Sequence, residues 1–169
     1  MSSTISSAPT ATIVNGNFDD SSTSYSPWTA ASSLNAYITT SNPHSAPNAL
    51  AITYTVDSAR SYLSVVQTLS TTAGLTAGTY TFTGYARSDM LYIGVYGCNS
   101  FYISCPGGTF VSYNQFVSGF KLVPNVYGMM STTCTFSDAQ IAAGPMVQLN
   151  GGNCGVGNYA FDDITITPA

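Results

Sequence analysis

Short runs of β-branched and aromatic residues, separated by Gly, Pro, Asn or Ser, recur along most of the chain. The residues within the runs favour extended backbone, and those between them favour turns. The pattern predicts strands over Ala49 to Val56, Tyr62 to Leu69, Thr79 to Arg87, Met90 to Tyr96, Thr109 to Phe116, Val126 to Phe136, Met146 to Leu149 and Tyr159 to Thr167. Many short strands without alternating helices indicate an all-β fold, an antiparallel β-sandwich or barrel.

Alternation along two of these strands assigns faces, because successive side chains of a strand point to opposite sides of the sheet. Between residues 90 and 96, the aliphatic row predicted to face the core consists of Leu91, Ile93 and Val95. In the preceding strand, the row opposite Tyr80, Phe82 and Gly84 consists of Thr83, Tyr85 and Arg87. The ligand-facing residues predicted from this alternation are Tyr85, Arg87, Tyr92 and Tyr96.

The chain has 169 residues, which suits one domain with a substantial buried core. Residues 1–10, rich in Ser, Thr, Ala and Pro, are expected to form a flexible leader, and residues 11–169 a single domain. Helical periodicity is limited to Ser137 to Ala143, where Ser137 is suited to capping a short helix.

Charged residues make up 6% of the chain, and the formal net charge is -4. The cations Arg60, Arg87 and Lys121 are scattered, whereas nucleic-acid binding needs clustered ones. An anionic membrane surface is disfavoured for the same reason, and no apolar run is long enough to cross a bilayer. We therefore expect neither nucleic acid nor a membrane as a partner.

Four cysteines, all in the second half of the chain, predict two disulfides and an oxidising compartment. Three connectivities are possible, and short-range pairing of Cys98 with Cys105 and of Cys134 with Cys154 is favoured. Hydroxyl and amide side chains supply most of the polar surface, as in many extracellular β-proteins. We expect a secreted protein whose signal peptide has been removed, since no such segment follows Met1.

A set of short motifs resembles fungal secreted jelly-roll proteins of the carbohydrate-binding-module type. The motifs are Asn15-Gly16-Asn17-Phe18-Asp19, Trp28, His44-Ser45, Asn48-Ala49-Leu50, Gln67-Thr68-Leu69, Ala77-Gly78-Thr79-Tyr80-Thr81-Phe82 and Phe161-Asp162-Asp163-Ile164. They extend over about residues 13–167 in a matching order. The resemblance implies a jelly-roll sandwich.

The same resemblance implies a structural calcium ion held by Asp19, Asp162 and backbone carbonyls between His44 and Asn48. Calcium prefers hard oxygen ligands of this kind. Asp19 is shorter than the Glu usual in such proteins, and Ala46 stands where Gly is common. The alternative is that these aspartates only cap turns and strand ends. No organic cofactor is expected.

Two further residues of the motifs have competing interpretations. Trp28 would suit an exposed platform for sugar stacking, but its position favours the core. His44, the single histidine, favours a structural polar role over catalysis, because no acid or nucleophile partner accompanies it by motif.

Hydrolase chemistry is disfavoured, because the seven acids occur mostly in turn-like contexts and no G-x-S-x-G motif exists. One enzymatic alternative needs little charge. The aromatic and Met-rich segment from Met90 to Met130 could line an apolar pocket. Fungal proteins that resemble this fold act as cofactor-independent hetero-Diels-Alderases of secondary metabolism, joining a tropolone-type quinone methide to a terpene alkene. Candidate hydrogen-bond donors for that reaction are Arg87, Lys121 and Tyr92.

The leading functional hypothesis is a secreted, non-catalytic module that binds carbohydrate. The alternative is the intermolecular cycloaddition catalyst, which predicts an apolar small molecule as ligand. A glycan binder should present an open groove with exposed rings and polar side chains, whereas a cycloaddition catalyst should present an apolar cavity.

Overall fold

The computed structural model describes residues 11–31, 34–55, 61–69, 74–93, 96–114, 116–117 and 123–169, with backbone alone at residues 61, 113, 114, 116 and 117. The strands in this part of the chain are β1 (Thr29–Ala30), β2 (Asn35–Thr39), β3 (Ala49–Tyr54), β4 (Ser61–Thr68), β5 (Gly78–Ser88), β6 (Ser100–Ser104), β7 (Thr109–Asn114), β8 (Phe116–Val117), β9 (Gly128–Phe136), β10 (Met146–Cys154) and β11 (Gly157–Pro168). One short helix, α1 (Asp138–Ala142), joins β9 to β10.

Two antiparallel sheets face each other in a sandwich. The five-stranded sheet has the order β1-β4-β10-β6-β8, and the six-stranded sheet has the order β2-β3-β11-β5-β9-β7. Sequence neighbours such as β10 and β11 lie in different sheets, as expected when the chain crosses the sandwich repeatedly. The all-β jelly-roll prediction is confirmed.

The core between the sheets is aromatic and aliphatic. Phe101 of β6 and Phe161 of β11 are fully buried and meet edge to face across the sandwich, with ring centroids 5.8 Å apart. Alternation in β5 behaves as predicted, since Tyr80 and Phe82 are buried in the core. Trp28 also belongs to the core, where its Nε1 donates to the Asn15 carbonyl oxygen at 3.0 Å, so its predicted core position is confirmed.

The predicted strand from Met90 to Tyr96 is wrong. The described part of this segment forms bends and an isolated bridge between Ile93 and Tyr96, and Val95 lies outside the described residues. A Cβ at Gly97, which has φ +70°, would lie 2.6 Å from the Leu91 carbonyl oxygen, so the chain folds back tightly there. Leu91 and Ile93 are 39% and 63% exposed, so the prediction that they face the core is also wrong.

Three short strands, β1, β2 and β6, are absent from the sequence prediction. Their sequences are two or five residues long and include polar residues, so their extended conformation depends on pairing with longer neighbours. The predicted helix is confirmed, and Ser137 caps it by accepting from the Gln140 amide.

The disulfides are Cys98–Cys154 and Cys105–Cys134, so the favoured short-range pairing is wrong. Strand β6 lies between Cys98 and Cys105, and five extended residues span about 16 Å. A disulfide needs Cα atoms within about 7 Å, so β6 keeps these two cysteines apart. The Cys105–Cys134 bridge instead joins the end of β6 to β9 in the opposite sheet.

Candidate functional site

A recess of about 250 Å³, here called the polar groove, lies on the outer face of the six-stranded sheet. The residues that line it are Tyr37, Thr39, Ser41, Ala51, Arg87, Asp89, Asn125, Asn158 and Tyr159. They come from β2, β3, β5 and β11 and from the segments that follow β2, follow β5 and precede β9.

Strand register explains the depth of the polar groove. One row across the sheet reads Tyr37, Ala51, Ala160 and Arg87, each a register partner of the next. Two alanines thus lie between two large side chains. Three strand spacings of about 4.8 Å separate the outer strands of this row, so the floor has room for a small ring. Inward-facing Leu50 and Ile52 alternate with these outward positions of β3.

A chain of polar contacts forms one wall of the polar groove. The backbone N–H and the Nδ2 of Asn158 donate to the two carboxylate oxygens of Asp89 at 2.8 and 2.6 Å. The hydroxyl of Thr53 donates to Asn158 Oδ1 at 2.8 Å, and the Tyr37 hydroxyl lies 3.4 Å from that of Thr53. Tyr37 itself is 41% exposed. The wall therefore combines an exposed ring with oriented acceptors and donors.

Arg87 forms the opposite end of the row and is only 7% exposed. Its guanidinium donates to Asn125 Oδ1 and to the Ser41 carbonyl oxygen, both at 2.9 Å, and lies 5.6 Å from the ring centroid of Tyr127. Burial raises the pKa of Tyr127, while the Arg87 charge acts in the opposite direction. Arg87 thus connects the loop after β2 to the segment before β9.

His44 fixes the loop between β2 and β3 beside the polar groove. Its ring stacks on Tyr85 at a centroid distance of 3.6 Å, and its Nδ1 lies 2.6 Å from Asp163 Oδ2. The Ser45 hydroxyl donates to Asp163 Oδ1 at 2.7 Å. His44 therefore orders the loop through an aromatic contact and a carboxylate contact.

Two carboxylates hold the same loop through its backbone. The fully buried Asp162 accepts the N–H groups of His44 and Ser45 at 2.8 and 3.0 Å, and Asp19 accepts that of Asn48 at 3.0 Å. Burial raises the pKa of Asp162 from 3.8 to about 6, although these amide donors oppose the shift. Among the described residues, no three His, Cys, Asp or Glu side chains form a metal-binding group.

A second recess, here called the apolar recess, has a volume of about 350 Å³. Its lining residues are Asp89, Met90, Leu91, Ile93, Tyr96 and Pro124. Asp89 also lines the polar groove, and Pro124 is followed in sequence by Asn125 of that groove. The two recesses therefore adjoin each other at the end of β5.

The structure distributes the sequence-predicted ligand and donor residues over different environments. Arg87 lines the polar groove, and Tyr96 lines the apolar recess. Tyr85 lies under the His44 ring, and the Tyr92 hydroxyl accepts from Asn153 Nδ2 at 2.7 Å. Lys121 lies outside the described residues.

Sequence reasoning missed several lining residues, among them Tyr37, Ala51, Asn125 and Asn158. The alternation of Ala49 and Ala51 with Leu50 and Ile52 is a signal that was available, since it marks a strand with small outward side chains. Strand pairing places Asn158, and contacts with Ser88 and Arg87 place Asn125, and no local sequence pattern reveals either arrangement.

No protein-family model matches the chain, and no curated protein matches its sequence. Solved structures do match. The family 61 carbohydrate-binding module TmCBM61 in complex with β-1,4-galactotriose has a TM-score of 0.60 and 11% identity, over 93% of this chain and 97% of that one. A xylan-binding domain of carbohydrate-binding-module family 22 has a TM-score of 0.58 and 15% identity, over 91% and 92%.

The Stig cyclase Fisc from Fischerella sp. TAU, in complex with (3Z)-3-(1-methyl-2-pyrrolidinylidene)-3H-indole, has a TM-score of 0.63 and 15% identity. The match covers 96% of this chain and 100% of that one. The chain shares their jelly-roll fold. At these identities the likeness concerns the fold, and the ligand has to be argued from the site. No helix of the described residues is long and apolar enough to span a membrane.

Proposed function

We propose that this protein is a secreted ligand-binding jelly-roll module that binds carbohydrate in the polar groove. The observation that carries the proposal is the row of Tyr37, Ala51, Ala160 and Arg87, flanked by the Asp89–Asn158 wall. Sugars present both hydroxyls and apolar ring faces, which suits amide and carboxylate groups beside an exposed aromatic ring. Carbohydrate-binding modules among the structural neighbours and the two disulfides support the proposal.

Binding to soluble β-1,4-galactan and xylan, measured by affinity electrophoresis and calorimetry, tests this function. Tyr37→Ala removes the exposed ring of the polar groove and should weaken binding at least tenfold. Tyr62→Ala is the matched control, because Tyr62 is 73% exposed on β4 of the other sheet. No retention by any glycan of a broad panel, or equal effects of the two variants, would contradict the proposal.

The second candidate is the hetero-Diels-Alderase, which the apolar recess favours. In this reaction the conjugated oxygen–carbon unit of a quinone methide adds to a terpene alkene, so two σ bonds form and no atom leaves. Holding two apolar partners together would supply most of the rate effect. Incubation of the protein with a quinone-methide precursor and a terpene, followed by mass spectrometry, tests it. Product formation at the rate of a protein-free control would exclude this activity.

The calcium ion implied by the sequence motifs is part of the proposal. Asp19, in the turns before β1, and Asp162, in β11, contact the same loop, and carboxylate oxygens are the hard ligands that Ca²⁺ prefers. Bound Ca²⁺ would neutralise the buried Asp162 charge and tie the loop to β11. At a Ca²⁺ concentration about 100 times the Kd, binding should add about 2.7 kcal/mol to the free energy of unfolding. Equal melting temperatures in Ca²⁺ and in EDTA would contradict the site. Asp162→Asn, which lacks one ligand carboxylate, is the control and should show no difference between the two conditions.

A further inference from the structure

We infer that the ligand of this surface is amphipathic: a glycoside whose sugar lies in the polar groove and whose apolar aglycone lies in the apolar recess. The inference rests on the proposed carbohydrate-binding function and names the ligand class. It depends on the adjacency of two recesses with opposite chemistry, which neither a free sugar nor a purely apolar molecule would use fully.

Two short stretches of chain form walls of both recesses. Asp89 lines each of them, and the next residue, Met90, belongs to the apolar recess. In the second stretch, Pro124 lines the apolar recess and Asn125 lines the polar groove. The Asn125 amide donates to the Ser88 carbonyl oxygen at 2.8 Å, which holds these two stretches together at the end of β5. A ligand passing beside Asp89 would therefore contact both recesses.

Volume supports one ligand across both recesses. Small-molecule sites usually occupy about 300 to 1,000 Å³. The polar groove, at about 250 Å³, falls below that range, and the apolar recess, at about 350 Å³, is near its lower end. Together they match a ligand of ordinary size, with the glycosidic bond beside Asp89.

The composition of the apolar recess specifies the second half of the ligand. Met90, Leu91, Ile93 and Tyr96 are 38%, 39%, 63% and 45% exposed. Clustered exposed apolar side chains on a protein surface usually mark a binding site. In the part of the chain that the structure describes, Asp89 is the single charged residue of this lining, and both of its carboxylate oxygens already accept from Asn158. An alkyl or aryl group is therefore the chemistry that this recess would bury.

The test compares methyl and octyl β-glycosides of galactose, glucose and xylose by calorimetry, with octanol as the free aglycone and all probes below micelle-forming concentrations. For at least one sugar, the octyl glycoside should bind at least tenfold more tightly than both the methyl glycoside and octanol. Ile93→Ser should reduce the octyl-to-methyl affinity ratio at least threefold. Val111→Ser, an exposed valine on β7, should preserve that ratio.

Other outcomes separate this inference from the proposed function. Equal affinity for methyl and octyl glycosides, or an advantage that survives Ile93→Ser, overturns the inference and leaves carbohydrate binding intact. Octanol binding as tightly as the octyl glycosides, with no methyl glycoside or glycan bound, overturns both. A change from dimer to monomer on Ile93→Ser, seen by sedimentation, would show that the recess is an interface between copies and would also overturn the inference.

Discussion

The outer faces of the two sheets are built on the same antiparallel scaffold, and the polar groove lies on that of the six-stranded sheet. On the five-stranded sheet, neighbouring polar side chains satisfy one another. Gln148 donates to Ser64 at 2.7 Å, and Asn150 donates to Ser104 at 2.9 Å. On the six-stranded sheet, Ala51 and Ala160 take the corresponding central positions, and polar groups stand around them.

Side-chain size and the flanking loops account for this difference. On the five-stranded sheet, medium-sized amides and hydroxyls lie side by side and bond to one another. Adjacent alanines between Tyr37 and Arg87 leave the space that forms the polar groove. The loop fixed by His44 and the segment containing Asn125 then raise the edge of the groove. The depth of the polar groove therefore follows from where small residues meet across strands.

The largest expected effect concerns the core that both faces share. Phe161→Ala should lower the free energy of unfolding by about 3–5 kcal/mol, because it leaves a cavity against Phe101. Tyr62→Ala, exposed on the five-stranded sheet, should cost less than about 1 kcal/mol. Urea denaturation measures both. Similar losses would mean that the sheets are not held together by this aromatic contact.

The bridge between the sheets should have the next largest effect. Replacing Cys105 and Cys134 together by Ala should cost about 3 kcal/mol, because the bridge closes a loop across a sequence separation of 29 residues. Urea denaturation under non-reducing conditions measures the loss. An unchanged urea midpoint would show that core packing, without this disulfide, is enough to hold the two sheets together.

Filling the polar groove should affect binding more than stability. Ala51→Leu places a larger side chain on the groove floor and should weaken glycan binding at least tenfold, about 1.4 kcal/mol. Ser64→Leu makes a comparable change on the other outer face and should leave affinity within twofold. Calorimetry with both variants decides the matter, and equal losses of affinity would contradict the difference between the faces.

The smallest expected effect comes from removing one side-chain amide from the polar network of each outer face. Asn158→Ala and Gln148→Ala each remove side-chain hydrogen bonds, and each should cost about 1 kcal/mol of stability. Glycan affinity should fall only with Asn158→Ala, whose amide orients Asp89 in the groove wall. Thermal denaturation and calorimetry give the two readouts. Weaker binding in Gln148→Ala would contradict our proposal, because it would indicate that the ligand lies on the five-stranded sheet.

The local alternation of apolar and polar residues was sufficient to predict side-chain orientation where a strand has one buried and one polar face. In β5, alternation correctly separated Phe82 from Arg87, although Arg87 is itself covered by Ser41 and Asn125. The same reasoning failed for Leu91 and Ile93, because their segment makes a bridge and bends near Gly97 instead of a strand. Aliphatic alternation cannot distinguish a core-facing strand from a loop that lines a surface recess.

The sequence by itself determined the fold class, most of the strands, the capped helix and the core position of Trp28. These features follow from local periodicity, turn residues and composition, which act over a few residues. The tertiary structure decided the disulfide pairing and the meeting of Ala51 with Ala160. It also decided the adjacency of the two recesses at Asp89. These features join residues far apart in the chain, and strand order and register set such contacts only when both sheets assemble.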